Sequence, residues 1–102
     1  MAKGYWIVRA DVSNPEQYQK YVAANAEPLS RHRARFLVRG GHSECREGQA
    51  RARNVIVEFP SVEAARACYD DPAYQHAKNF RDGACTFDLI IVEGYDGKQP
   101  GE

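Results

Sequence analysis

The segment FPSVEAARACYDDPAYQHAKNF, residues 59–80, carries the strongest structural signals in the sequence. Ser61 is an expected helix N-cap, and Asp71 followed by Pro72 is expected to end that helix and begin another. The segment therefore predicts a strand that ends at Phe59 and two short helices that meet at a proline. Because it also contains a cysteine, a histidine and two tyrosines, it is equally a candidate for carrying active-site groups.

Apolar residues recur at helical spacing on both expected helices. The first stripe consists of Val62, Ala65, Cys68 and Tyr69, and the second of Ala73, His76, Ala77 and Phe80. Gly83 is a plausible C-terminal stop for the second helix. Each stripe predicts the side of a helix that packs against a sheet.

Two strands are expected immediately before this segment. RNVIVEF, residues 53–59, places Val55, Val57 and Phe59 on one face. RFLVRGG, residues 35–41, is an earlier strand that two glycines interrupt, and residues 42–47 are expected to resume it. The short link between the two strands predicts a hairpin.

The N-terminal part of the chain predicts a strand followed by a helix. GYWIVRAD, residues 4–11, puts Trp6, Val8 and Ala10 on one face and a mixture of apolar and charged groups on the other. Asn14 can cap the helix with Pro15 at its first position, and a capping box from Ser13 to Glu16 is the alternative. The helix stripe comprises Tyr18, Tyr21, Val22, Asn25 and Leu29, and Pro28 is expected to kink or end the helix.

The last strand is expected over TFDLIIVE, residues 86–93, and the residues after it are expected to be loose. The order βαββαβ predicts an α+β, ferredoxin-like domain with a four-stranded antiparallel sheet and both helices on one face. The opposite face is left uncovered, which predicts a homodimer formed sheet to sheet, closing an α/β barrel. We assign residues 1–97 to this single domain and residues 98–102 to a C-terminal tail.

Composition narrows the classes of function. The 102 residues suit one domain, and 14 basic residues balance 14 acidic ones, so neither nucleic acid nor an anionic membrane is an expected partner. No signal-peptide core or membrane span is evident, which favours a cytoplasmic protein. The three cysteines include no CxxC pair, so reduced thiols are expected. His42 and Cys45 are the only pair at metal-ligand spacing, and neither a metal nor a cofactor is expected.

Much of the chain resembles one bacterial family. GYWIVRADVSNPEQYQKYVAAN, RFLVRGG, RNVIVEFPSVEAARACYDDPAYQ and IIVEGYDG are similar to the domain-of-unknown-function family 1330, over about residues 3–97. The resemblance implies a member of the dimeric α/β-barrel superfamily, whose protomers dimerise through the sheet. It implies no reaction and no catalytic residues, and the wider superfamily includes cofactor-free monooxygenases, isomerases and stress-responsive proteins.

Four residues are candidates for lining a small-molecule pocket between the helices and the sheet: Tyr18, Asn25, Tyr69 and His76. An amide or phenol on a core stripe either meets a ligand or bonds to a neighbouring protein group. His76 is either a base or haem ligand, or a partly exposed helix residue. No catalytic residue can be assigned.

Three charged residues are candidates for the dimer face: Arg9, Asp11 and Glu58, with Arg53 and Asp88 nearby depending on register. Charges enclosed in a barrel must pair, so they either fix the dimer geometry or bind an acid.

Two functions remain open from the sequence. The first is binding of a small hydrophobic or aromatic molecule, extending to cofactor-free oxidation or isomerisation. The alternative is a non-catalytic dimeric module with a structural or stress-response role.

Overall fold

The structure, a computed structural model, describes residues 2–102 and contains four strands and three α-helices. The elements in chain order are β1 (Gly4–Val12), α1 (Pro15–Arg31), β2 (Arg35–Arg39), β3 (Arg53–Phe59), α2 (Val62–Asp70), α3 (Pro72–Lys78) and β4 (Cys85–Glu93), with a 3₁₀ turn at Asn79–Arg81. Among these residues, no helix is long and apolar enough to cross a membrane.

Side chains fix the starts of all three helices. Asn14 caps α1 by accepting from the Gln17 backbone N–H at 3.2 Å, and Ser61 caps α2 through Ala64 at 3.0 Å. Asp71 accepts from the Ala73 N–H at 2.8 Å and caps α3. These contacts satisfy N–H groups that a helix start leaves unpaired, so the local sequence determines where the helices begin.

The strands form one antiparallel sheet in the order β2-β3-β1-β4. Buried side chains lie on only one of its faces, from which β1 contributes Trp6 and Val8. The core around them consists of Val55, Val57 and Phe59 of β3, Tyr18, Tyr21 and Leu29 of α1, and Ala65, Cys68, Tyr74 and Ala77 of α2 and α3. The predicted element order and the ferredoxin-like fold are confirmed.

Two expectations about the first half of the chain differ from the structure. Of the two alternatives for Pro28, a kink or an end of the helix, the end is wrong, because α1 continues to Arg31. The proline ring is buried, and the chain closes the helix beyond it with a bond from the His32 N–H to the Pro28 carbonyl at 3.1 Å. Packing of the ring therefore outweighs the lost backbone donor.

Strand β2 ends at Arg39, and residues 42–47 form no strand. Gly40 has φ +72°, a backbone conformation that turns the chain away from the ladder after one further bond to β3. The five residues of β2 and the residues from Gly40 to Ala50 are all exposed. The β2 end of the sheet is thus not covered by the helices.

Candidate functional site

A small cavity lies between α1 and the helix-facing side of the sheet. Its volume is about 30 Å³, which holds one or two water-sized groups. Trp6 and Val8 of β1 and Val55 and Val57 of β3 form its apolar wall. The cavity also reaches the exposed strand β2, where the Phe36 side chain is 38% exposed and marks its mouth.

Asn25 brings an amide into this apolar wall. It follows Tyr18 and Tyr21 along the buried stripe of α1, and only 7% of its surface is exposed. Its Oδ1 atom is buried without a hydrogen-bond partner among residues 2–102. Because α1 continues past Pro28, Asn25 lies well inside the helix and not at its rim. An unpaired buried carbonyl oxygen is costly, so this side chain lacks the structural partner that would explain it.

The two tyrosines of α1 differ in how their hydroxyl groups are used. Tyr21 Oη lies 2.7 Å from Tyr74 Oη, in a buried phenol pair. Burial raises the pKa of Tyr74, and Tyr21 adds to the rise. Burial and the neighbouring Tyr21 also raise the pKa of Tyr18, whereas Arg53 opposes that rise. Tyr18 and Tyr74 therefore remain protonated near neutral pH, so they can donate hydrogen bonds but do not serve as bases.

Two arginines reach the same cavity from the strands. The Arg53 guanidinium carbon lies 5.6 Å from the centre of the Tyr18 ring, and its Nε atom is buried without a partner in the described part of the chain. The Arg39 guanidinium carbon lies 4.0 Å from the centre of the Phe36 ring at the mouth. The cavity is therefore lined by apolar side chains from the middle of β1 and β3, and it is positively charged at the end that lies near β2.

The structure brings together two of the four predicted pocket residues, Tyr18 and Asn25. Tyr69 is not among the residues that line the cavity; it packs against Trp6 with ring centres 6.1 Å apart, and its hydroxyl accepts from Lys78 Nζ at 3.1 Å. His76 is exposed on α3, with its ring 5.5 Å from that of Phe80. The histidine is thus separated from the phenol and the amide.

Sequence reasoning did not place Arg39 and Arg53 at this site. The alternation of β3 does indicate the position of Arg53. This residue lies two positions before Val55 and four before Val57, so it must share their face of the strand. Of the two faces that were left open for Arg53, the structure therefore shows the one that faces the helices. Arg39 could not be placed because a register irregularity between Phe36 and Val38 changes the alternation of β2.

The opposite face of the sheet carries the three predicted dimer-face residues in two charged groups. At one end, Arg51 Nη1 lies 2.9 Å from Asp11 Oδ2 and its Nε lies 2.7 Å from Asp88, which is also 3.8 Å from Arg9. The Ala52 N–H and Arg51 lower the pKa of Asp11 by hydrogen bonding to its carboxylate. These pairs lie within one protomer.

At the other end of this face, Glu58 accepts from Tyr5 Oη at 3.4 Å and lies 3.5 Å from Lys3 Nζ and 3.9 Å from Arg35. Between the two charged groups runs an aliphatic row across all four strands. The register pairs its members in the order Val38, Ile56, Ile7 and Ile90. This uncovered face is therefore apolar in its centre and charged at two edges.

The cysteines form no site of their own. All three thiols are free, and burial raises the pKa of Cys68 to about 12. A thiol held protonated in this way is a poor nucleophile and acts as a small apolar side chain. Within residues 2–102, no three His, Cys, Asp or Glu side chains come close enough to hold a metal ion.

Several solved structures share this fold at low sequence identity. A protein of unknown function from Rhodopseudomonas palustris superposes with a TM-score of 0.77 at 18% identity, covering 94% of this chain and 85% of its own. A hypothetical protein from Arabidopsis thaliana gives 0.68 at 14% identity, with 97% and 94% covered. SnoaB, a cofactor-independent oxygenase from Streptomyces nogalater, gives 0.61 at 13% identity, with 100% of both chains covered.

At such identities the similarity shows a common fold and does not transfer an activity. No curated protein matches the chain. Comparison with protein families is more specific, because one family model spans nearly all of the sequence. The chain belongs to the family of the domain of unknown function DUF1330, whose model matches residues 3–95.

Proposed function

We propose that this protein binds a small hydrophobic or aromatic molecule in the cavity between α1 and the sheet. The observation that carries the proposal is Asn25 Oδ1, a buried acceptor without a protein partner in an otherwise apolar wall. Ligand sites are typically apolar pockets with a few convergent polar groups, and Tyr18 and Asn25 supply two such groups here. A ligand that donates to Asn25 would remove the cost of its unpaired oxygen.

The proposal extends to cofactor-free oxidation or isomerisation of the bound molecule. SnoaB, described as a cofactor-independent oxygenase, has the same fold, and this is support at the level of fold alone. Among the described residues that line the cavity, none is a histidine or a carboxylate. The contribution of this chain would therefore be binding, exclusion of bulk water and polarisation by hydrogen bonds. The substrate would have to be acidic enough to lose its proton to a water molecule, and dioxygen from solution would be the oxidant in an oxidation.

We further propose that the active form is a homodimer that associates through the uncovered sheet face. The aliphatic row from Val38 to Ile90 supplies the apolar centre that such an interface requires. The charged groups around Arg9, Asp11 and Glu58 would lie at its edges and set the relative orientation of the two protomers.

A second candidate is a non-catalytic dimeric module with a structural or stress-response role. It is favoured by the small size of the cavity, about 30 Å³, and by the aromatic packing beside it. The centre of the Trp6 ring lies 5.0 Å from that of Phe59 and 4.9 Å from that of Tyr74. Much of the space between the helices and the sheet is therefore already filled. In this case Asn25 would be satisfied by water alone.

Binding can be tested with Trp6, the only tryptophan of the chain, which is 2% exposed and lines the cavity. We expect at least one compound from a panel of phenols, quinones and haem to raise the unfolding temperature and, for a compound without overlapping absorption, to change the Trp6 fluorescence. Val22→Phe should fill the cavity and reduce the affinity about tenfold or more, whereas Ala23→Phe on the exposed side of the same helix should not.

Two results would count against binding in this cavity. One is a panel in which no compound changes either signal at millimolar concentration. The other is equal affinity in the wild type, Val22→Phe and Ala23→Phe, which would place any binding site elsewhere.

A further inference from the structure

Two arginines on neighbouring strands face the cavity without an acidic partner. Arg39 pairs with Val55 in the ladder, and Arg53 lies two positions before Val55 on the same face of β3. Diagonal neighbours of this kind have Cα atoms about 7–8 Å apart. Cationic side chains that face the same cavity repel each other, and an anion bound between them would offset that repulsion.

Five of the other eight arginines have carboxylate partners, whereas Arg33, Arg66 and Arg81 have none within residues 2–102. Ion pairs within 4.0 Å involve Arg9, Arg31, Arg35, Arg46 and Arg51. No such pair within residues 2–102 involves Arg39 or Arg53. The guanidinium groups that face the cavity therefore lack the charge compensation that is found on the opposite face of the sheet.

The Arg53 guanidinium group is partly buried and occupies space beside Gly40. Its Nε atom is buried and makes no hydrogen bond within the described residues. A Cβ atom at Gly40 would lie 2.3 Å from Arg53 Nη1, so the absence of a side chain there leaves room for the guanidinium. A buried charged donor without an acceptor is costly, and an anionic acceptor would compensate for it strongly.

Asn25 presents the opposite requirement in the same cavity. Its Oδ1 atom is an acceptor that needs a donor, whereas Arg53 Nε is a donor that needs an acceptor. The cavity thus contains one unsatisfied group of each kind, in walls that also carry two tyrosines and Arg39 among apolar side chains. A ligand that satisfies both must carry an anionic oxygen and a hydrogen-bond donor.

We propose that the ligand of this cavity is an organic acid that also bears a hydroxyl group, bound with its carboxylate on Arg53 and Arg39 and its hydroxyl donating to Asn25 Oδ1. This inference rests on the proposed small-molecule function and defines the chemical class of its ligand. A volume of about 30 Å³ accommodates only the polar head. The body of the molecule extends past Phe36 towards the exposed strand β2.

Three probes of similar size separate the contributions of the two polar groups. 3-Hydroxybenzoate has the carboxylate and a hydroxyl that cannot bond to it, 3-hydroxybenzyl alcohol has no charge, and benzoate has no hydroxyl. In calorimetric titrations of the full chain at neutral pH and low salt, we expect 3-hydroxybenzoate to bind about tenfold or more tightly than the alcohol. Benzoate should bind several-fold more weakly than 3-hydroxybenzoate.

Substitutions of single residues test which side chains distinguish the three probes. Arg53→Met and Arg39→Met keep most of the apolar stem, and each should bring the affinities for 3-hydroxybenzoate and the alcohol closer together. Asn25→Leu should remove the difference between 3-hydroxybenzoate and benzoate. Arg66→Met, an exposed arginine on α2, is the matched control and should leave all three affinities unchanged. Since Arg39 is exposed, its variant tests the inference even if the Arg53 variant does not fold.

Each alternative outcome is distinguishable. Equal affinity for 3-hydroxybenzoate and the alcohol would overturn the proposal that the ligand is an acid, while leaving small-molecule binding intact. Acid selectivity that persists in both arginine variants overturns the assignment to this cavity. If none of the three probes binds and the wider panel also fails, water alone fills the cavity and both proposals fall.

Discussion

At the scale of single residues, Gly4 shows how closely the first strand approaches the second helix. A Cβ atom at this position would lie 2.5 Å from the Ser61 carbonyl oxygen and 2.7 Å from the Val62 Cα atom. Both neighbours are backbone atoms and cannot rotate away. The start of β1 and the start of α2 are therefore in direct contact, which anchors the helix that follows the third strand.

Replacing Gly4 with alanine should accordingly destabilise the protein by about 1–3 kcal/mol, the usual cost of excess volume in a packed region. Gly41→Ala is a suitable control because a Cβ there meets nothing within 4 Å and the residue lacks a positive φ. The free energies of unfolding should be compared in urea at one protein concentration, since a dimer's stability depends on concentration. Equal stability of the two variants would contradict the close contact.

The residue scale also shows what the sequence could and could not predict. Asn25 was assigned to the buried side of α1 because the long helix leaves only one apolar stripe. In α3, which has seven residues, two stripes were compatible with the pattern. The structure buries Tyr74 and Ala77 and leaves His76 exposed. A helix of two turns is too short for periodicity alone to determine which side is buried.

At the scale of elements, Asp71 joins three helices. Its backbone closes α2 by donating to the Cys68 carbonyl, and its side chain caps α3. Its Oδ2 atom also accepts from Arg31 at the end of α1 and lies 2.8 Å from His32 Nε2. The hydrogen bond from Arg31, then that from His32, lowers the pKa of Asp71 well below its ordinary value of 3.8.

This lowered pKa predicts a contribution to stability with a definite pH dependence. A carboxylate whose folded-state pKa is depressed stabilises the protein above its unfolded pKa, and the contribution is lost as the pH falls below about 4. Asp71→Asn should therefore lower the unfolding temperature by several degrees at pH 7, and this difference should shrink towards pH 2. The neighbouring exposed Asp70→Asn is the control.

Thermal unfolding followed by circular dichroism between pH 7 and pH 2 would measure the effect. The Asp71 variant should retain some acid sensitivity, because the pKa of Asp11 is lowered as well. A stability difference between wild type and Asp71→Asn that stays constant across this range would show that the ion pairs around Asp71 contribute nothing.

Element boundaries were predictable where a capping side chain defines them and not elsewhere. Asn14, Ser61 and Asp71 marked the helix starts correctly because each makes a local bond that short-range sequence determines. The end of α1 was not predictable, since it depends on burial of the Pro28 ring against other elements. Tertiary packing of this kind overrides a local preference.

At the scale of the whole molecule, the alternating pattern of the strands other than β2 and the order of the elements were enough to predict the sheet with the helices on one side. The resulting domain is flat, with extents of 46 × 34 × 16 Å, and one sheet face has no covering layer. Ile90 is 57% exposed and Val38 39% exposed on this face. A pocket between the helices and the sheet was predicted, but its size could not be, because it depends on how the rings of Trp6 and Tyr21 pack.

The uncovered face leads to a prediction about assembly. A two-fold axis through the centre of the sheet would place the aliphatic row of one protomer against that of its partner, so both copies would bury the same residues. The wild type should therefore sediment at about twice the protomer mass of 11.5 kDa at micromolar concentration. Ile90→Glu should raise the dissociation constant by about 100-fold or more, because it buries an unpaired charge in the interface.

Ala67→Glu introduces the same charge on the exposed side of α2 and should leave the mass unchanged. Since Ile90 is exposed in the protomer, the Ile90 variant should keep the circular dichroism spectrum of the wild type and lose only the association. A wild-type protein that sediments as a monomer at micromolar concentration would rule out the barrel dimer. A dimer that tolerates Ile90→Glu as well as it tolerates Ala67→Glu would place the interface on another surface.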